Sequence, residues 1–327
     1  MNLLTLISNI HWIPVLIMTI ISFGLGAFWH HHYLFGKLWK IENKPTLDKK
    51  RNIPLVFAGT AVISMLWAFT SAQAATVDTI QVYSQSMQKN IKSVIVTPDN
   101  YQLSKAFPVV YLLHGYSGNQ LDWITKAKGF EKAADQYQLI IVCPDGGFSS
   151  WYWDSPIDPK SQYETFVAEE LVNAIDTKYK TIRDRKGRAI TGLSMGGHGA
   201  LYLAIKHQDV FGAAGSMSGG VDIRPFPDNW EMAKKLGAYK DQPERWEKNT
   251  VMNMLHLLKP NSLALIIDCG TEDFFFKVNE NLHQQLLYRN ILHDYYTRPG
   301  GHTWPYWTNA IKFQLLFMSN YFSNTKI

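Results

Sequence analysis

An α/β protein, with a mostly parallel central sheet covered by helices on both faces, is predicted from three features of the 327-residue chain. Apolar runs of strand length alternate with amphipathic helical stretches through the C-terminal three quarters of the chain, the pattern of a parallel sheet buried on both sides. The pentapeptide Gly192-Leu193-Ser194-Met195-Gly196 joins one such run, Ala189-Ile190, to a stretch of small residues, and sets glycines two positions on either side of a serine. Residues 1–36 carry no Lys, Arg, Asp or Glu, so one or two membrane-spanning helices are expected ahead of the sheet.

The N-terminal region divides at its charges. Ile13 to Trp29 and Ile53 to Thr70 are uncharged, mostly apolar runs close to bilayer length, and the basic residues Lys37, Lys40, Lys44, Lys49, Lys50 and Arg51 lie between them. Positive loops stay cytoplasmic, which puts everything after Thr70 outside. The second run also reads as a signal peptide, with Lys49-Lys50-Arg51 as its basic start and Ala72-Gln73-Ala74 as a small-residue cleavage site. Either way residues 75–327 are expected to be exported, periplasmic or extracellular, as a tethered domain or as one released by cleavage near Ala74. The division is therefore 1–52 for the first membrane segment and its basic loop, 53–74 for the second segment or signal peptide, and 75–327 for the large domain. His30-His31-His32 reads as a polar cluster at headgroup level, since no carboxylate or Cys nearby completes a metal-ligand set. Of the net charge of +5, +4 belongs to residues 1–74 and +1 to the rest. The large domain thus has no basic stripe, and nucleic acid is not an expected partner.

In residues 75–327, Val77 to Tyr83 and Ile91 to Val96 read as an antiparallel strand pair. Further strands are expected at Val109–Leu113, Leu139–Val142, Ala189–Ile190, Ala213–Met217, Leu263–Ile267 and Asp294–Tyr296. Helical stretches fall at Phe130–Tyr137, Glu164–Tyr179, His198–His207, Val278–Asn290 and Thr308–Tyr321. The longer, less regular segment Asp222–Pro260 reads as an insertion that forms a cap or one wall of a cleft. Ligands of such sheets bind beyond the carboxyl ends of the strands. The unusual loops gather there: His114-Gly115-Tyr116, Pro144-Asp145-Gly146-Gly147, the serine elbow, Gly270-Thr271-Glu272-Asp273 and Gly300-Gly301-His302.

A serine hydroxyl is a weak nucleophile unless a base reaches it and a carboxylate orients that base. Ser194, Asp273 and His302 supply the three groups in the chain order Ser, acid, His, each just after a strand. His302 follows two glycines, which let its loop bend toward the serine. Asp273 has a second reading as an N-cap of the helix that follows; Asp268, expected within the strand end, and Glu272 are the other carboxylates in range. The developing oxyanion needs two donors, for which the backbone N–H of Met195 and that of Tyr116, turned inward by Gly115, are the candidates. His114 is expected to be buried and hydrogen-bonded, shaping its loop. Trp151, Tyr152 and Trp153 after one strand, and Trp304, Tyr306 and Trp307 beside the histidine, read either as core or as the lining of a substrate pocket, with Trp151, Tyr152 and Trp304 as the pocket candidates. No metal and no organic cofactor are expected.

Residues 75–325 resemble the esterase branch of the α/β-hydrolase superfamily, which holds S-formylglutathione hydrolases (esterase D), feruloyl and acetyl-xylan esterases, tributyrin esterases and mycolyltransferases. The resemblance rests on Tyr111 to Asn119, Gly192 to Gly199, Asp268 to Asp273 and Pro299 to Trp304, in the family's order. It implies the α/β-hydrolase fold, Asp273 as the triad acid, and Tyr116 and Met195 as the oxyanion hole. The superfamily's strand order also sets Cys143 and Cys269 four strands, about 19 Å, apart, beyond the reach of a disulfide, so both are expected as buried free thiols. Residues 1–40 are loosely similar to a family of small bacterial membrane proteins. The implied activity is that of a serine carboxylesterase acting on short acyl, aryl or sugar esters through an acyl-enzyme. The alternatives are an acyltransferase with the same triad, an S-formylglutathione hydrolase, whose cytosolic substrate conflicts with export, and a tethered binding domain without catalysis.

Overall fold

Eight strands form one sheet in the computed structural model, which describes residues 75–101 and 105–325. The candidate membrane segments Ile13–Trp29 and Ile53–Thr70, the His30–His32 cluster and the cleavage site lie outside the described residues. Among the described residues no helix is long and apolar enough to cross a membrane. The strands are β1 (Thr76–Ser84), β2 (Lys89–Thr97), β3 (Val109–Leu113), β4 (Ile140–Pro144), β5 (Arg188–Gly192), β6 (Ala213–Met217), β7 (Ala264–Gly270) and β8 (Asp294–Arg298), in the order β1-β2-β4-β3-β5-β6-β7-β8. The first two pair antiparallel, β2 pairs antiparallel with β4, and every pair from β4 to β8 is parallel. The fold is thus α/β-hydrolase-like, as expected.

The helices are α1 (Asp122–Lys126), α2 (Lys132–Tyr137), α3 (Tyr163–Thr165), α4 (Val172–Lys178), α5 (Met195–Lys206), α6 (Ala233–Leu236), α7 (Pro243–Lys248), α8 (Val251–Met254), α9 (Phe276–Tyr288) and α10 (Trp304–Asn324). The stretch expected as one helix from Glu164 to Tyr179 is interrupted: a π-helical segment, Phe166–Leu171, joins α3 to α4. The final helix starts at Trp304 rather than Thr308, because Pro305 sits in its first turn, where a missing N–H costs nothing.

Strand alternation explains the continuous apolar runs. Val109, Tyr111 and Leu113 face one core and Val110 and Leu112 the other, and Ile140 and Val142 alternate with Ile141 and Cys143 in the same way. Both faces are dry, so both sets must be apolar. Helix α5 is buried from Met195 to Ile205, which accounts for its run of small and apolar residues. Truncating Leu203 there removes contacts that typically amount to about 2–5 kcal/mol. Cys143 on β4 and Cys269 on β7 are both free and buried, with four steps of the sheet between their strands. Burial pushes both thiols well above their ordinary pKa.

The segment Asp222–Pro260 holds the short helices α6, α7 and α8 and one 3-10 turn, Leu255–Leu257. Its two tryptophans have different fates. Trp246 is fully buried and its indole N–H donates to the Gly237 carbonyl at 2.9 Å, whereas Trp230 is half-buried and packs against Phe226, Phe274 and Phe275.

Candidate active site

Ser194 occupies the turn from β5 into α5 with φ 54° and ψ −117°, a left-handed conformation that costs a residue with a side chain about 1–3 kcal/mol. Crowding around the turn explains its glycines. A Cβ on Gly192 would stand 2.6 Å from the backbone of Gly196, and one on Gly196 would stand 2.5 Å from the carbonyl oxygen of His114. Backbone bonds brace the strained residue: the Ser194 N–H donates to Met217 O at 2.9 Å, and the Ser194 carbonyl accepts from the His198 N–H at 3.0 Å. The hydroxyl does not cap the helix. It is left to face the rim of the sheet.

His302 meets it there. Its Nε2 lies 2.8 Å from Ser194 Oγ, and its Nδ1 lies 2.8 Å from Asp273 Oδ2. A carboxylate can only accept, so Nδ1 carries the proton and Nε2 presents its lone pair to the serine hydroxyl. Asp273 is buried, and its other oxygen, Oδ1, accepts the Phe275 N–H at 2.8 Å. Asp273 is not the N-cap of α9, a position that Phe275 takes without a side-chain cap; one of its oxygens braces the turn ahead of the helix while the other faces the imidazole. Phe274 (centroid distance 4.2 Å) and the edge of Trp307 (4.8 Å) flank the ring. Of the two glycines before His302, Gly300 is required, with φ +131° and Tyr306 at 2.8 Å from any added Cβ, while a Cβ on Gly301 would meet nothing nearer than 3.5 Å.

The remaining carboxylates are occupied or distant. Asp268, wholly buried in β7, is bound by Arg298 and by the Tyr306 hydroxyl, and Glu272 is exposed. His114 is buried, with Nδ1 donating to Gly115 O and Nε2 accepting the Gly146 N–H, both at 2.7 Å. Both ring nitrogens are thereby committed to shaping the loop after β3. That loop lies directly on the elbow, since a Cβ on Gly115 would stand 3.3 Å from Ser194 Cβ. Among the described residues neither the Tyr116 N–H nor the Met195 N–H donates to a protein acceptor. Two free backbone donors thus sit on the two segments that meet at Ser194, and the Met195 donor is at the positive end of α5.

Two of the three pocket candidates belong elsewhere. Trp151 is 1% exposed and Tyr152 0%, so neither has a face left for a ligand. The Tyr152 hydroxyl donates to His114 O at 3.0 Å, and Trp151 stacks on Trp153 beneath the site. Both serve as core because they pack against α5, Tyr152 filling the space a Cβ on Gly199 would need and Trp151 meeting His198 edge-on. Trp304 is half-buried, edge-on to Trp123 and Trp307 with Lys126 above it. The exposed aromatic surface at the mouth comes instead from Phe274 and Phe148, with Trp230 stacked on the first and Tyr116 against the second. Phe274 follows Asp273 directly, a signal in the sequence that could have found it; nothing in the sequence ties Trp230 or Phe148 to the rim. A third histidine, His198, is also fully buried: Nδ1 donates to Gly220 O and Nε2 accepts from the Trp153 indole. Burial pushes its pKa down to about 4, with the Gly220 hydrogen bond opposing, so it is neutral and braces the elbow helix.

The sequence pattern described as "Putative esterase" matches residues 84–318. An acetyl esterase of Caldicellulosiruptor saccharolyticus is 26% identical over 73% of this chain and 97% of its own length. The diacylglycerol acyltransferase/mycolyltransferase Ag85B of Mycobacterium leprae is 30% identical over 72% of this chain and 82% of its own length. Against an esterase of Mycobacterium tuberculosis the match is 37% identical but spans 40% of this chain and only 29% of that protein. Among solved structures, a ferulic acid esterase superposes with a TM-score of 0.67 at 28% identity, over 76% of this chain and 99% of that one.

Proposed function

The chain belongs to the "Putative esterase" family and is an esterase-type enzyme; on that footing we propose that it is a serine carboxylesterase whose triad is Ser194, His302 and Asp273. The observation that carries the reading is the unbroken line of hydrogen bonds from hydroxyl to imidazole to buried carboxylate, 2.8 Å at each step, with two unpaired backbone donors beside it. Ser194 Oγ attacks the ester carbonyl carbon as its proton passes to His302 Nε2. The carbonyl oxygen takes up the electron pair and is held by the N–H groups of Met195 and Tyr116. Asp273 stabilises the imidazolium that results. When the C–O bond to the alcohol breaks, His302 returns the proton to the leaving oxygen, and an acyl-Ser194 ester remains. Water, deprotonated by His302, then releases the acid by the same path.

Ser194→Ala is expected to lower kcat toward p-nitrophenyl acetate by about 10⁴-fold or more while circular dichroism and melting stay unchanged. Activity retained in that variant refutes the assignment. A panel of acetyl, longer acyl, aryl and sugar esters, with S-formylglutathione included, sorts the substrate class.

The relation to a mycolyltransferase across most of its length supports a second reading, in which an alcohol acceptor replaces water in the second half-reaction. Product partitioning with added glycerol or sugar distinguishes the two: a transfer product that outgrows free acid favours the transferase. We also propose that residues 75–327 form the hydrolase domain and act outside the cytoplasm, tethered through the N-terminal segments or released after Ala74. The two uncharged runs and the basic cluster between them support this. N-terminal sequencing of the exported protein tests it.

A further inference from the structure

Strand β7 and the turn after it carry two buried carboxylates, five residues apart, and only Asp273 touches the candidate base. Asp268 is 0% exposed and satisfies both its oxygens at 2.5 Å, Oδ1 accepting from the Tyr306 hydroxyl and Oδ2 from the Arg298 guanidinium. Arg298 ends β8 and Tyr306 lies in the first turn of α10. His302 is four positions after the first and four before the second. One carboxylate therefore grips both ends of the segment on which His302 stands.

Between these grips the backbone makes few hydrogen bonds, and the ring of His302 is held by Asp273, Phe274 and Trp307. Pro299, Gly300 and Gly301 bring no side-chain donor. The Gly300 carbonyl accepts the Glu272 N–H at 3.0 Å, and the Thr303 N–H donates to Gly301 O at 2.8 Å. Tyr306 also packs against the loop it helps to anchor, since a Cβ on Gly300 would strike its ring at 2.8 Å. Arg298 is steadied in turn by the ring of Phe313, whose centroid is 4.0 Å from the guanidinium carbon.

A buried charge is a costly way to hold a fold together, and an apolar side chain of similar volume often packs at no loss of stability. Here burial holds the Asp268 carboxyl above its ordinary range, against the opposing pull of Tyr306 and Arg298. What an apolar side chain lacks is the ability to fix two donors from different elements at set distances.

We propose that Asp268 is a positioning residue: by clamping Arg298 and Tyr306 it sets the span between them, and so keeps His302 Nε2 within hydrogen-bond reach of Ser194 Oγ. This rests on the Ser194–His302 reading, and a shift of about 1 Å at the base is enough to cost on the order of a hundredfold in rate.

The test compares the full-length protein with Asp268→Asn, Tyr306→Phe and Arg298→Lys, with Ser194→Ala measured alongside. Rates are normalised to enzyme titrated with an organophosphonate, so that misfolded molecules do not count. Asp268→Asn is expected to lower kcat toward p-nitrophenyl acetate by about 10–100-fold, with KM changed less than threefold, and to weaken the downfield proton resonance of the His302–Asp273 hydrogen bond. Tyr306→Phe and Arg298→Lys, each weakening one arm, are expected to lower kcat by about three- to tenfold. A bracing role alone would lower the melting temperature but leave kcat per titrated site and the resonance as they are. That result in Asp268→Asn overturns the proposal. Where Asp268→Asn does not fold, unchanged kcat in both single-arm variants overturns it instead. If Ser194→Ala retains activity, the triad reading has failed, which is a different result from failure of the clamp.

Discussion

The two segments that meet at the candidate site are held by different physics. On the serine side the constraint is steric and lies in the backbone: Gly192 and Gly196 leave no room for a Cβ, and Ser194 is forced to φ 54°. On the histidine side, Gly300 apart, it lies in side chains drawn from three other elements. Asp268 from β7 bonds both ends of the segment, Asp273 bonds the ring, and Phe274 and Trp307 wall it in. A steric constraint is local in sequence and fails abruptly. A constraint built from side chains is spread through the fold and can be removed one contact at a time.

The largest expected effect, after loss of the serine itself, tests the histidine side. Asp273→Asn keeps the shape but exchanges an acceptor for an amide, so the imidazole loses both its tautomer control and the charge that stabilises it. A fall in kcat of about 10³–10⁴-fold is expected, read from p-nitrophenyl acetate turnover in a protein whose melting temperature moves little. Next comes the serine side. In Gly196→Ala the added methyl meets the His114 carbonyl at 2.5 Å and that of Leu113 at 2.6 Å. Since backbone cannot swing away, a loss of roughly 3 kcal/mol or more is expected in denaturant unfolding, with activity lost in the protein that remains folded.

Acid should discriminate the sides more gently. His198, behind the elbow, has its folded-state pKa pushed down to about 4 by burial, against about 6.5 in the unfolded chain. The unfolded chain therefore binds the extra proton first. The stability that the neutral ring contributes is whole above about pH 6.5 and is lost as the pH falls toward 4, up to about 3 kcal/mol. Melting temperatures from pH 8 to 4 should decline across that window, and hydrogen exchange should show α5 loosening early; a flat profile contradicts the account. The smallest effect is expected at Gly301→Ala, where the nearest atom to the new Cβ is 3.5 Å away. Activity within about threefold and stability within about 0.5 kcal/mol of the parent are expected. A large loss there would show that the histidine segment is as sterically bound as the elbow.

What could be read in advance follows the same division. The sheet was legible because strands buried on both faces must be apolar throughout, and the runs at Val109–Leu113 and Ala213–Met217 match the observed strands residue for residue. The elbow was legible because its cause is a glycine two residues to either side, the core placement of His114 followed from its loop position, and the separation of the two cysteines followed from the strand order that the family resemblance implies. The pocket aromatics were not. Trp151 and Tyr152 read in the sequence as lining, yet both are buried, because composition and strand-end position do not say whether a loop turns its rings to the rim or into the core.

The amino-acid sequence by itself determined where the chain turns, which faces of its strands are dry and which serine must stand in a strained turn, since all of these depend on neighbours within a few residues. Only the tertiary structure decided which carboxylate faces His302 and which clamps its loop, and which aromatic rings reach solvent. Asp268 and Asp273 sit five residues apart in one segment. Their roles differ because Arg298 and Tyr306, brought in from β8 and α10, claim the first and leave the second for the imidazole.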